Sequence, residues 1–257
     1  MPSSNVVWDI DGPVGTLTFN RPHARNALTW DMYDALVEAC ERVDAGDLRV
    51  LVIRGSGGAF AAGTDISQFK EFKSGDDGIA YERRLDAAID RLERVRRATV
   101  AVVDGPAVGG GCAIALACDL RICSTRARFG VPVAKTLGNC LSAANLARLV
   151  DLIGPAHVKD LLFTARLIDA DEAVALGLAT RVVAAEDLER DVRTLTHELC
   201  NRASSTIEAT KALLQRVREH RRPLPADDII AKCYMSDDFR EGVAAFLEGR
   251  SPAWRGD

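Results

Sequence analysis

The chain has 257 residues, 47% of them hydrophobic, enough apolar material for one large domain or a domain with an appended subdomain. With 33 basic against 37 acidic residues it has no basic excess for nucleic acid and no lysine-rich tail for an anionic membrane, so neither is an expected partner. The longest uncharged apolar stretch, Ala107 to Cys118, is too short to span a bilayer and contains three consecutive glycines.

At the N-terminus, Met1 to Asp9 lacks a positive region followed by an apolar core, so no signal peptide is read and the cytoplasm is the expected compartment. Val14-Gly15-Thr16-Leu17-Thr18-Phe19 reads as a strand. From about Thr29, Met32, Leu36, Cys40 and Val43 recur on one face of a helix. Val50-Leu51-Val52-Ile53 is a further strand and leads into the turn Phe60-Ala61-Ala62-Gly63-Thr64-Asp65-Ile66, where Asp65 with Gln68 reads as a capping box opening a helix. A second amphipathic helix puts Tyr81, Leu85, Ala88, Leu92 and Val95 on one side, with Asp86 and the other charges on a face expected to be solvated. Val100-Ala101-Val102-Val103 then runs into Gly109-Gly110-Gly111-Cys112-Ala113, which opens a segment too apolar to face water. Alternating strands and helices imply crossover units with mostly parallel strands, an α/β fold. From about Glu186 no strand is read, Leu188, Val192, Leu195 and Leu199 trace one apolar stripe, and Arg222-Pro223-Leu224-Pro225 breaks the helical region before a last helix ending near Gly249.

The two glycine turns carry the chemistry. A backbone N–H at a strand-to-helix turn is unpaired and lies at the positive end of a helix dipole, so two such turns side by side can hold a carbonyl oxygen as it becomes an oxyanion. Either turn alone is explained as ordinary punctuation; two in register are not so easily dismissed. Neither matches G-x-G-x-x-G, and no glycine run ends in Gly-Lys-Ser or Gly-Lys-Thr, so phosphate cradling by those loops is not expected. The seven cysteines include no C-x-x-C pair and read as reduced, mostly buried thiols, with Cys140 set apart by its polar surroundings. The four histidines lack metal-ligand spacing, so no metal site is expected.

Asn20-Arg21-Pro22 followed by Arg25-Asn26-Ala27-Leu28, the Phe60 to Ile66 turn, Asp104-Gly105-Pro106-Ala107-Val108-Gly109-Gly110-Gly111-Cys112 and Cys118-Asp119-Leu120-Arg121-Ile122 occur in a recognisable order. Phe129-Gly130-Val131-Pro132, Leu152-Ile153-Gly154-Pro155-Ala156, the run from Ile168 to Leu178 and Phe246-Leu247-Glu248-Gly249-Arg250 continue it. In this the chain resembles, nearly end to end, the crotonase superfamily, also called the enoyl-CoA hydratase/isomerase family. The resemblance implies a crotonase-like ββα spiral core over residues 1–190 and a helical C-terminal oligomerisation region over 191–257, assembling as a homotrimer or a dimer of trimers. It implies an acyl-CoA thioester as the bound molecule and no separate cofactor, CoA being part of the substrate. It assigns the backbone N–H groups of Ala62 and Gly110 to the oxyanion hole. Around the acyl-CoA it places Ala24, Arg25, Ala27, Ala61, Thr64, Asp65, Ile66, Gly109, Pro132, Val133 and Thr136. His23 is a candidate for the nucleotide end and Arg250 for a CoA phosphate.

The departures are as informative. The family's hydratases use two glutamates, one just after Gly-Gly-Gly-Cys and one just after the proline of Phe-x-x-Pro; these positions hold Ala113 and Val133. Adding water across a conjugated double bond needs a base and an acid, each typically worth about 10²–10⁴ in rate. Alanine and valine supply neither, so ordinary hydration is not expected. The segment Ala134 to Ser142 also departs, and Asn139 falls near a place where some members carry a catalytic aspartate; it is a candidate for orienting water or a substrate carbonyl. Lys135, Thr136, Asn139, Cys140 and Ser142 form a polar cluster beside the expected acyl pocket. The function expected is therefore an acyl-CoA enzyme of the enoyl-CoA hydratase/isomerase type, a lyase or isomerase, that moves protons with groups outside the usual glutamate positions. Isomerisation, dehalogenation, decarboxylation and thioester hydrolysis stay open, as does a catalytically weak acyl-CoA binder.

Overall fold

The computed structural model describes residues 5–219 and 226–254; the Arg222 to Pro225 break and the first four residues of the N-terminal stretch lie outside the described residues. β1 (Val6–Asp11) and β2 (Val14–Phe19) pair as an antiparallel hairpin, Val6 opposite Phe19. Alternation in β2 sends Leu17 and Phe19 inward. α1 (Trp30–Ala45) buries Met32, Leu36, Cys40 and Val43 at helical spacing and returns the chain so that β3 (Val50–Gly55) runs parallel to β2. α2 (Gly75–Glu93) and β4 (Ala98–Val103) repeat the crossover, and a true capping box formed by Ser74 and Asp77 starts α2. All six β4 residues are buried, as a parallel strand covered on both faces requires.

β5 (Pro106–Val108) leads into α3 (Gly110–Ala117), every residue of which is buried. The buried Arg121 guanidinium closes the far end of α3: its Nη1 donates to the Cys118 carbonyl at 2.5 Å and its Nε to the Leu178 carbonyl at 2.5 Å, a cation against the negative end of a helix. β6 (Leu120–Ser124), β7 (Arg128–Gly130), α4 (Val133–Thr136) and α5 (Ala143–Thr164) follow, α5 bending at Gly154, where φ is 74° before Pro155. β8 (Ile168–Asp169), α6 (Ala170–Ala175) and β9 (Arg181–Val183) complete the sheets. The larger sheet has the order β1-β2-β3-β4-β6-β9, parallel beyond the hairpin; the smaller is β5-β7-β8.

α7 (Leu188–Cys200) lays Leu188, Val192 and Leu195 on Val50, Val52, Val100, Val102 and Ile122, so position 190 falls inside a helix packed on the larger sheet. α8 (Ser204–Glu219), α9 (Asp227–Tyr234) and α10 (Asp237–Glu248) follow. α9 packs against α2, and α10 against α4 and the 3₁₀ helix Ile66–Glu71. The C-terminal helices thus cover the chain's own core, sealed by rings such as Phe69 on Tyr81 (centroids 4.9 Å apart) and Tyr234 on Phe239 (4.7 Å).

Candidate active site

Strand-like pairing outside the sheets brings the glycine turns together. Ala61 bridges Ala107, with the Val108 N–H donating to the Ala61 carbonyl at 2.9 Å. Leu28 bridges Thr64 and fixes the first turn against the Arg25 to Leu28 loop. Asn26, fully buried at φ 56°, anchors that loop: its Nδ2 donates to the Ser56 and Ala59 carbonyls at 2.9 and 2.8 Å, and its Oδ1 accepts from the Arg21 N–H at 2.8 Å. Asp65 caps the 3₁₀ helix by accepting from the Ser67 N–H at 3.1 Å and pairs with Arg21 at 2.7 Å. The capping box expected with Gln68 is absent because the Asp65 N–H already donates to the Leu28 carbonyl at 2.8 Å; Gln68 Nε2 instead donates to the Leu28 and Asp65 carbonyls.

Ala62 does not offer the donor expected of it, since its N–H donates to the Arg25 carbonyl at 3.0 Å. The next candidate along the turn is Thr64. In the parallel bridge to Leu28 the flanking Gly63 carbonyl and Asp65 N–H make the hydrogen bonds, which turns the Thr64 N–H the other way, and it has no hydrogen-bond acceptor among the described residues. The N–H of Gly110, first residue of α3, is likewise without an acceptor there. Gly110 lies against the Thr64 side chain: a Cβ on Gly110 would stand 3.0 Å from Thr64 Oγ1 and 2.3 Å from Tyr33 Oη, which is why a glycine is needed. Thr64 Oγ1 is held between Tyr33 Oη at 3.0 Å and Tyr81 Oη, which donates to it at 2.9 Å. Burial drives both phenols well above their ordinary pKa, so they stay protonated.

Both turns open on a cavity of about 470 Å³. Of the residues expected around an acyl-CoA, Ala24, Arg25, Ala27, Thr64, Asp65, Ile66, Gly109, Pro132, Val133 and Thr136 line it, together with Ala62, Gly110 and Asn139. Ala61 does not: it is fully buried behind the wall, its N–H and carbonyl engaged by Pro106 and Val108. Ala113 and Val133 line the cavity as apolar wall. The polar cluster expected from Lys135 to Ser142 divides. Lys135 is exposed, and Ser142 Oγ caps α5 while donating to Asp86 at 2.7 Å; only Thr136, Asn139 and Cys140 reach the cavity. A hydrogen bond with Cys233, together with burial, pushes the Cys140 thiol far up, so it is no thiolate nucleophile. Arg250 pairs with Glu241 at 2.5 Å and Glu248 at 2.6 Å and does not line the cavity. His23 is exposed on the 3₁₀ turn Pro22–Ala24.

The solvated face expected on α2 is the main correction. Asp86 accepts from Ser142 Oγ and, at 3.0 Å, from Asn145 Nδ2, and burial raises its pKa. Glu82, which sequence reasoning passed over, is 3% exposed and lines the cavity. Tyr234 Oη donates to its Oε1 at 2.5 Å and accepts from Asn139 Nδ2 at 3.1 Å. Glu82 Oε2 and Asn139 Oδ1 are buried with no hydrogen-bond partner among the described residues. Burial pushes the Glu82 carboxyl up to about 7, the Tyr234 hydrogen bond opposing the rise and Asp86 adding to it. Ile89, seven residues on and fully buried, was the available signal that this side of α2 faces inward.

The model of the family described as enoyl-CoA hydratase/isomerase matches residues 9–257. The protein named probable enoyl-CoA hydratase echA8 of Mycobacterium bovis is 34% identical over 256 residues, covering 98% of both chains. The short-chain-enoyl-CoA hydratase of Clostridium acetobutylicum is 31% identical over 259 residues, covering 97% of both. The solved structure of methylmalonyl-CoA decarboxylase in complex with 2-nitronate-propionyl-CoA matches with a TM-score of 0.89 at 27% identity, over 98% of this chain and 99% of that one. The chain belongs to the enoyl-CoA hydratase/isomerase family, the crotonase superfamily, and has its fold.

Proposed function

We propose that the protein converts acyl-CoA thioesters through an enolate whose oxygen is held by the N–H groups of Thr64 and Gly110. The observation that carries this reading is the pair of N–H groups without an acceptor among the described residues, one of them opening a buried helix, at the wall of a cavity of about 470 Å³. Loss of an α-proton moves negative charge onto the thioester oxygen, and each donor aimed there is typically worth about 2.7–4 kcal/mol in the transition state. CoA arrives on the substrate, so the reaction takes no separate cofactor. The proposal extends to a cytoplasmic homotrimer or dimer of trimers, supported by exposed apolar side chains such as Leu213, Leu214 and Ile229 on the C-terminal helices.

Among enolate reactions, hydration is disfavoured because the Ala113 and Val133 positions in the cavity wall can neither activate water nor protonate carbon. Decarboxylation is suggested by the fold likeness to methylmalonyl-CoA decarboxylase. Against it, among the described residues the charged side chains lining the cavity are Arg25, which is exposed, Asp65, which is paired with Arg21, and Glu82, and none of them is a buried cation that would await a malonyl carboxylate. Proton exchange and double-bond migration remain favoured. The test is incubation with vinylacetyl-, crotonyl-, butyryl- and methylmalonyl-CoA in deuterated water, followed by mass for deuterium uptake and by chromatographic separation of the isomers for double-bond migration. Deuterium at the α carbon or formation of crotonyl-CoA from vinylacetyl-CoA supports the reading; a panel left unchanged while the protein binds butyryl-CoA refutes it.

A further inference from the structure

We propose that Glu82 is the catalytic residue that takes and returns the α-proton of the bound thioester, which rests on the enolate reading above. Nothing in the glycine turns or in the Ala113 and Val133 positions points to α2 as the source of that group; the cavity does. Glu82 and the donors Thr64 and Gly110, which have no acceptor among the described residues, line one cavity. The other lining carboxylate, Asp65, is occupied by Arg21, Ser67 and its capping role. Tyr234 fixes Oε1 and the Ser142 backbone N–H also favours the charged carboxyl, while Oε2 is buried with no hydrogen-bond partner of good geometry among the described residues. A buried carboxyl oxygen without a partner is uncommon and calls for an explanation, and a reacting C–H is one that also explains the cavity. Asn139, through its hydrogen bond to Tyr234, is a positioning residue.

The surroundings suit a group that must both accept and release a proton. Facing Glu82 are Tyr81 and Asp86 from α2, Tyr33 from α1, Cys140 from the loop before α5, and Cys233 and Tyr234 from α9. None is a cation, so nothing holds the carboxyl permanently ionised, and its titration near neutrality is where a general base and the acid it becomes are both effective. In the step itself the Cα–H bond breaks, its proton goes to Glu82 Oε2, and its electron pair forms the enolate double bond. The thioester carbonyl pair moves onto the oxygen held by Thr64 and Gly110. Glu82 Oε2 then returns a proton, either the one it took or one exchanged with water, to the α carbon, or to the γ carbon when the acyl group carries a β,γ double bond. No oxidant, reductant or water is consumed.

The test uses the full-length protein, vinylacetyl-CoA and butyryl-CoA in deuterated water, and the variants Glu82→Gln and Tyr234→Phe. Glu82→Gln keeps the shape and is expected to lower deuterium incorporation and isomerisation at least about 100-fold with unchanged affinity for butyryl-CoA. The wild-type rate should rise with pH through a midpoint of about 7. Tyr234→Phe should move that midpoint upward, since the hydroxyl it removes stabilises the carboxylate. An active wild type with Glu82→Gln at the same rate, or an unmoved midpoint in Tyr234→Phe, overturns the role of Glu82 and leaves the enolate reading standing. A wild type that exchanges no faster than buffer on either thioester overturns both.

Discussion

Tyr234, on a C-terminal helix, donates its phenolic hydrogen to Glu82 at 2.5 Å across a sequence separation of 152 residues. The contact ties the helix that covers the cavity to the carboxyl inside it. Burial drives the Tyr234 phenol well above its ordinary pKa, so the donor is present throughout the physiological range.

The burial of Glu82 makes stability depend on pH, the Tyr234 hydrogen bond moderating the effect. The Glu82 carboxyl titrates at about 7 in the fold against an ordinary value of 4.5. Its contribution is therefore fully present below the ordinary value and is lost as pH rises through the folded one. Glu82→Gln does not ionise, so the wild type should lose up to about 3 kcal/mol relative to it over that window. Urea unfolding of both proteins at about pH 5 and about pH 8 checks this; a constant difference would contradict it.

Gly110→Ala should disable the oxyanion site. The added Cβ would stand 2.3 Å from Tyr33 Oη, so either the ring or the backbone must shift. Loss of alignment of one such donor typically lowers kcat by about 10²–10³. Steady-state kinetics beside a circular dichroism spectrum separates this from unfolding.

Thr64→Val keeps the backbone N–H and the side-chain shape but removes the hydroxyl shared by Tyr33 and Tyr81. Two buried phenols lose a partner, so the variant should be destabilised by about 1–3 kcal/mol while kcat falls less than in Gly110→Ala. Denaturation midpoints together with kcat decide it.

Asn26→Ala leaves the Arg21 N–H and the Ser56 and Ala59 carbonyls without the buried amide that joins them. A loss of at least about 2 kcal/mol is expected, with activity falling in parallel as the first glycine turn loses its register. Thermal unfolding and turnover measured on one preparation test the coupling.

The sequence alone determined the features that depend on local spacing. Met32, Leu36, Cys40 and Val43 show a helical face whatever packs on it, and buried runs such as Val50 to Ile53 demand parallel strands with cover on both sides. The glycine turns and the apolar residues at Ala113 and Val133 were legible for the same reason. Whether Ala62 or Thr64 keeps an unengaged N–H was decided only when the Arg25 to Leu28 loop came alongside and engaged one of them. The burial of Glu82 required α9 over α2, and the pairing of Arg250 required Glu241 nearby. Backbone periodicity is written into neighbouring residues; which polar groups find partners, and which are left for a substrate, depends on segments far apart in the chain.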